Sequence, residues 1–273
     1  MPPSTRAALA AAAQRFTFSA TPRLDAVLLL AHALGTTRER LLLTLDDWSV
    51  PAAFDALVER RAAHEPVAYL TGTRAFWTID LHVAPGVLVP RADSETLIEA
   101  AVAHFAGSSL PRRVLDLGTG SGALLLAALD EWPQASGVGV DASPDALTIA
   151  RANAERLGFA DRADIVSGGW EGTGEAFDLV LCNPPYIADA TALPREVKAW
   201  EPASALFAGA DGLDDYRRIA PLLAAQIAPG GVACIEIGSD QGESAAVLFR
   251  DAGLYGVVRR DLAGHDRCLV VTP

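Results

Sequence analysis

The sequence predicts an α/β chain in two parts: a small N-terminal helical domain over residues 1–66, and a seven-stranded, mostly parallel sheet domain over 91–273, joined through a β-hairpin linker at 67–90. Three observations carry this. Before residue 85 apolar residues recur at helical spacing; after Arg91 short apolar runs alternate with helical stretches; and a glycine-rich turn follows the first of those runs.

In order along the chain, Leu24 to Leu34 is a dense apolar helix ended by Gly35, and Ser49–Pro51 opens another with Phe54, Leu57, Val58 and Ala62 on one face. Tyr69 to Val89 alternates apolar and polar residues around Thr71-Gly72, Asp80 and Pro85-Gly86, which reads as a hairpin. A helix over Glu95–Phe105 leads into strands at Val114–Leu117, Gly137–Val140, Asp164–Val166, Phe177–Cys182, Val232–Ile237, Gly256–Arg260 and Cys268–Thr272. The last two fit an antiparallel pair closing an otherwise parallel sheet.

Composition narrows the function classes. With 273 residues, 51% of them hydrophobic, and a mean hydropathy of +0.24, the chain can bury a sizeable core. The alanine run Ala8 to Ala13 breaks at Gln14-Arg15, too short to span a membrane and poorly built for a signal peptide, so a cytoplasmic protein with no membrane partner is expected. A net charge of −12 and a pI near 4.8 disfavour direct nucleic-acid binding, which depends on neutralising phosphates, and favour a protein substrate. The three cysteines fall in separate predicted strands and the five histidines are scattered, so neither a metal site nor a histidine base is expected.

Two motifs carry chemistry. The first is Val114-Leu115-Asp116-Leu117-Gly118-Thr119-Gly120-Ser121-Gly122-Ala123, a strand, a tight turn and a helix start. Its glycines let backbone approach a ligand, and Asp141, closing the next strand, is placed to accept hydrogen bonds from ribose hydroxyls. Taken alone this turn fits a nicotinamide dinucleotide or S-adenosylmethionine equally. Asp116 favours the latter, because a carboxylate at the strand end suits a cationic amino group and repels a pyrophosphate. The second motif is Asn183-Pro184-Pro185-Tyr186 after the strand Phe177–Cys182. Each proline lacks an N–H and disfavours helix before it, so carbonyls are left free for a ligand. Asn183 Oδ1 and the Pro184 carbonyl can accept both hydrogens of a planar –NH2 group, with Pro185 beside them and the Tyr186 ring as a cover. An ordinary proline-rich exit loop with Asn183 as a turn residue is the plain alternative.

Together with Pro66–Gly72, Phe76-Trp77, Pro85–Arg91, Trp200-Glu201-Pro202 and the stretch Asp211–Asp214 with Tyr216–Ile219, these segments resemble the class I methyltransferases that modify a planar amide or exocyclic amine. Within that class the chain is similar to the release factor glutamine methyltransferase family of the HemK/PrmC type. Two departures fall in Arg91-Ala92-Asp93-Ser94, where the family commonly reads Arg-Pro-Asp-Thr: Ser94 keeps the hydroxyl, and Ala92 leaves the local backbone less restrained. The resemblance implies a Rossmann-like methyltransferase sheet holding S-adenosylmethionine through Asp116, Leu117, Gly118, Thr119, Gly120, Asp141, Trp170 and Asn183, with Trp170 beside the adenine. It implies that Asn183 and Pro184 act on the substrate amide, that the helical domain docks the rest of a release factor, and that the protein works as a monomer. Glu201 either reaches the substrate or ends a turn. A ribosomal-protein glutamine, an exocyclic base amine, a nicotinamide-dependent oxidoreductase and a non-catalytic nucleotide-binding module stand as competing readings.

The expected mechanism is positional. An amide nitrogen is a poor nucleophile because its lone pair is delocalised, so rate must come from alignment, worth roughly 7–11 kcal/mol in favourable cases, and from acceptors that stabilise developing positive charge. No general base is required before transfer.

Overall fold

The structure, a computed structural model, describes residues 4–107 and 109–273; the first three residues of the expected helical domain lie outside it. The chain divides into two compact units, Met1–Thr73 with Leu193–Trp200, and Arg74–Ala192 with Glu201–Pro273.

The first unit is helical, comprising α1 (Thr5–Arg15), α2 (Pro22–Ala33), α3 (Arg38–Leu43), α4 (Ala53–Ala62) and α5 (Val67–Thr71), to which the single turn α9 (Arg195–Lys198) is added from later in the chain. Ser4 and Thr37 accept the Ala7 and Arg40 N–H groups and so cap α1 and α3, while Pro22 sits in the first turn of α2, where an N–H is not needed. Phe16, Leu29, Leu30, Leu41 and Phe54 fill the core. Arg61 is buried with them, paired to Asp25 at 2.8 Å and Glu196 at 2.7 Å and lying over the Phe18 ring at 4.7 Å. Removing Arg61 would leave the buried Asp25 carboxylate without its cation, at a cost of about 3–5 kcal/mol.

The hairpin is shorter than the alternation over 69–89 predicts. Ala68, Tyr69 and Leu70 are buried in succession, which a strand with one core face cannot achieve, so Val67–Thr71 winds as a helical turn that Gly72 ends at φ +71°. The hairpin proper pairs β1 (Thr73–Phe76) with β2 (Ile79–His82).

The second unit continues with α6 (Glu95–Phe105), β3 (Arg113–Leu117), α7 (Ala123–Glu131), β4 (Ser136–Asp141), α8 (Pro144–Arg156), β5 (Ala163–Ser167), β6 (Phe177–Cys182), α10 (Asp214–Leu223), β7 (Ile227–Glu236), α11 (Gly242–Asp251), β8 (Tyr255–Arg260) and β9 (Asp266–Thr272). Its sheet runs β5-β4-β3-β6-β7-β9-β8, parallel except that β9 is antiparallel to both β7 and β8. This is the seven-stranded Rossmann-like arrangement the sequence predicts. Strand β7 begins at Ile227, earlier than the expected Val232, because a register shift against β6 absorbs a segment whose Pro229 and glycines read as a turn. A Cβ at Gly231 would lie 2.7 Å from the Asp178 carbonyl, so only glycine lets the two backbones pass.

Strand alternation sorts the side chains. Leu115 and Leu117 of β3 join the core formed with Tyr216, Ile219 and Leu223 of α10 and Phe249 of α11. Asp116 lies between them and turns to the other face, where the Leu125 N–H of α7 meets it. Among the described residues no helix is long and apolar enough to cross a membrane.

Candidate active site

Strand β3 has β4 on one side and β6 on the other, so strand order reverses there and a crevice opens at the carboxyl ends, the place where open α/β sheets bind ligands. A cavity of about 450 Å³ occupies it.

One wall is the turn after β3. Gly118, Gly120 and Gly122 all take positive φ, of +71°, +57° and +84°. The turn is tied to β4, because Gly118 and Thr119 N–H both donate to the Val140 carbonyl and Gly120 N–H donates to Asp141 Oδ2 at 2.8 Å. Asp141 Oδ1 takes the Ser143 N–H at 2.9 Å, so this carboxylate braces two loops while lining the cavity with lone pairs to spare. A Cβ on Gly118 would stand 3.3 Å from the Trp170 ring, which forms the adjoining wall. Trp170 is held there by its Nε1–H donating to Asp215 Oδ1 at 2.9 Å, while Gln226 donates to its carbonyl.

Leu117 is fully buried and is not part of the cavity wall. Asp116, 1% exposed, sits behind the turn instead of on the cavity wall. Its Oδ2 accepts from Thr119 Oγ1 at 2.6 Å and Leu125 N–H at 3.2 Å, and Oδ1 is buried with no hydrogen-bond partner. Burial pushes this carboxyl up to about 7, with those two hydrogen bonds opposing the shift and the Asp141 charge adding to it. An acid in this state gains by meeting a cation.

The opposite wall is the segment after β6. Asn183 lines the cavity with Pro185; its carbonyl comes within 4.0 Å of the point a Gly118 Cβ would occupy, so the two motifs close on one another. The Asn183 side chain donates from Nδ2 to Ser94 Oγ at 3.2 Å, which leaves Oδ1 as the end of the amide not engaged there. Pro184 is buried and not part of the cavity wall. The Tyr186 ring is also off that wall: it packs on the sheet core, and its hydroxyl donates to Glu236 Oε1 at 3.0 Å. Burial, with the Glu236 charge, raises the Tyr186 hydroxyl far above its ordinary value. The chain beyond is clamped by Gln241 Nε2 donating to the Tyr186 carbonyl at 2.9 Å, and a Cβ on Gly212 would lie 2.4 Å from that same carbonyl. This close approach accounts for the glycine in Asp211–Asp214.

Glu201 does not face the cavity. Its carboxylate accepts from Arg91 at 2.6 Å and from Val89 N–H at 3.2 Å, an anchor for the segment that precedes α6. Sequence reasoning passed over Ser94 as a contact, and Glu236 and Asp215 altogether. Glu236 had a signal, since a lone carboxylate inside Cys234-Ile235-Glu236-Ile237 at a strand end needs a partner; Asp215, in an ordinary acidic first turn of α10, had none.

Two family models match the chain, the PrmC N-terminal domain over residues 7–72 and the methyltransferase small domain over residues 92–199. Among solved structures, a methyltransferase from Pyrococcus furiosus is 16% identical with a TM-score of 0.52, covering 80% of this chain and 95% of that one, which shows a shared fold. The chain is 44% identical to the release factor glutamine methyltransferase of Xylella fastidiosa strain Temecula1, over 98% of each chain. It is 43% identical to that of Rhodospirillum rubrum over 91% of this chain and 78% of the relative, and 38% identical to that of Vibrio cholerae over 96% and 94%. Identity at this level along almost the whole length shows that the chain belongs to the release factor glutamine methyltransferase family.

Proposed function

We propose that this enzyme transfers a methyl group from S-adenosylmethionine to the side-chain amide nitrogen of the glutamine in the Gly-Gly-Gln loop of peptide chain release factors, working as a monomer in the cytoplasm. The observation that carries the reading is the approach of Asn183 to the glycine turn across one crevice, with Nδ2 held by Ser94 and Oδ1 left for a donor.

The residues present fit the cofactor. Asp141 offers carboxylate lone pairs to ribose hydroxyls, Gly118 leaves space where a Cβ would crowd Trp170, and the unpartnered Asp116 Oδ1 suits the cationic amino group of a methionine moiety. When bound, S-adenosylmethionine supplies an electrophilic methyl carbon on a sulfonium centre. Asn183 Oδ1 and the Pro184 carbonyl accept the two hydrogens of the glutamine –NH2, orient its lone pair, and stabilise the charge that develops on nitrogen. Glycines flank the target because so close an approach to the proline backbone leaves no room for neighbouring side chains. The proton leaves after transfer to nearby carbonyls and water, and no side chain here serves as a base beforehand.

The test is methyl transfer from labelled S-adenosylmethionine to an intact release factor, a glutamine-bearing ribosomal protein and DNA in parallel. Transfer to the release factor alone is expected. Rapid labelling of DNA with none of the release factor would overturn the reading.

A further inference from the structure

Asn153 is fully buried near the end of α8, inside a helix, where asparagine is a poor former and an apolar residue ordinarily packs. Its amide is committed on both ends. Oδ1 accepts the His82 N–H at 2.7 Å, and Nδ2 donates to the His82 carbonyl and to the Ser121 carbonyl, each at 2.9 Å. A flipped amide would set oxygen against two carbonyls and –NH2 against an N–H, so these partners fix its orientation.

The two backbones joined in this way lead to different parts of the cavity wall. Ser121, 3% exposed, belongs to the glycine turn, which β4 already holds through the Gly118, Thr119 and Gly120 N–H groups. His82 ends β2, and the chain beyond it contributes Gly86, Val87, Leu88 and Pro90 to the wall. It then reaches Ser94, whose Oγ accepts from the Asn183 amide. Residues 83–90 form no helix or strand of their own. They ride on α8, where Val87 packs against Ala146 and Ile149, and a Cβ at Gly86 would stand 3.0 Å from Asp145 Cβ. Glu201 fixes the far end of the stretch through the Val89 N–H and Arg91. Asn153 ties its near end to the glycine turn.

We propose that Asn153 is a positioning residue that registers the wall segment 83–90 against the glycine turn, and so keeps the substrate side of the cavity in line with the cofactor side. The turn has a strand to hold it and the segment has none. When the bridge is lost, the segment therefore shifts and the turn stays. Alignment for transfer suffers more than cofactor affinity, since a displacement of about 1 Å can cost on the order of 100-fold in rate. The inference rests on the proposed transfer to an amide held at Asn183.

The test compares the parent with Asn153→Ala and Asn153→Asp. In methyl transfer to a release factor, Asn153→Ala is expected to lose about tenfold or more in kcat, with Kd for S-adenosylmethionine near the parental value. Asn153→Asp keeps the acceptor for His82 but sets a carboxylate against two carbonyls, and should lose more. Independently of any substrate, the Val87 and Leu88 amide signals of the 15N-labelled protein should move in both variants, while those of Gly118 and Thr119 hold. Parental kcat in Asn153→Ala, equal losses of kcat and cofactor affinity, or unmoved Val87 and Leu88 signals would each overturn the inference. Hydrogen exchange in the parent needs no variant to fold: the His82 N–H should exchange slowly, like the amides of the sheet ladder, and exchange at the rate of an unprotected amide would also overturn it. A parent that fails to methylate release factor would instead count against the proposed substrate, and the amide signals and exchange would still decide the role of Asn153.

Discussion

Between Leu117 and Asp141 the cavity wall is made by neighbours in sequence and mostly by backbone: the Asp116 carboxylate meets Thr119 three residues on, and Asp141 reaches back to Gly120. Around Asn183 the wall depends on side chains brought from far away, Ser94 being 89 positions distant from Asn183 and Glu236 50 from Tyr186. The glycine turn has two strands to hold it wherever its side chains point. The substrate wall depends on the direction of a few hydrogen bonds, and a single truncation can reverse one. Catalysis should be more sensitive to change on the second wall, and cofactor affinity on the first.

The largest effect separates the two. Asn183→Ala removes one of two proposed acceptors and should lower methyl transfer by at least roughly 100-fold, about 2.7 kcal/mol, with little change in S-adenosylmethionine affinity. Asn183→Asp keeps an acceptor but adds a charge needing desolvation near the sulfonium, and should retain partial activity. Single-turnover kinetics with calorimetric titration check both; equal losses of rate and cofactor affinity in Asn183→Ala would erase the distinction between the walls.

Asp141→Ala should do the opposite, weakening S-adenosylmethionine by about 1.5–3 kcal/mol, since it loses charge-assisted hydrogen bonds to two hydroxyls and unties Gly120 from Ser143. Unchanged binding by calorimetry would remove Asp141 from the cofactor wall.

A smaller effect concerns pH. Burial lifts the Asp116 carboxyl from its ordinary value of 3.8 to about 7, so between those values the folded chain holds a proton that the unfolded chain has lost. The cost of ionising it is absent below the lower value, grows as pH rises, and is complete above the higher one. Asp116→Asn should therefore flatten the decline in the melting temperature of the free protein between about pH 4 and 7. Cofactor binding near neutrality should release a proton from Asp116, seen as a binding heat that depends on the ionisation enthalpy of the buffer. Parallel melting curves in parent and variant would contradict this.

The smallest predicted effect is close to none. With cofactor and substrate bound and no base assigned, the single-turnover rate should vary little between about pH 6.5 and 8.5. A slope of one log unit per pH unit would mean that a titrating group takes the proton during transfer.

The same contrast explains what could be read from the residues alone. The glycine turn, Asp141 and the alternation of strands with helices announce themselves through local spacing, and the sheet follows. Sequence alternation misled at Val67–Thr71, where three successive buried residues demand a helical turn, and at Ile227, where glycines that look like a turn continue a strand through a bulge. That Asn183 lines the crevice was legible, because prolines after a strand free carbonyls. The burial of Tyr186 against Glu236, and the Glu201 pairing with Arg91, were not, because tertiary folding alone decides which carboxylate a side chain meets.

The account stands most directly on where the methyl group goes. Transfer from S-adenosylmethionine should be followed, with mass-spectrometric location of the product, on an intact release factor and on the same protein with its Gly-Gly-Gln glutamine changed to asparagine. The account predicts one methyl on the glutamine side-chain nitrogen and none on the variant, since the shorter amide cannot reach Asn183 and Pro184 together. Equal methylation of the two proteins would contradict it.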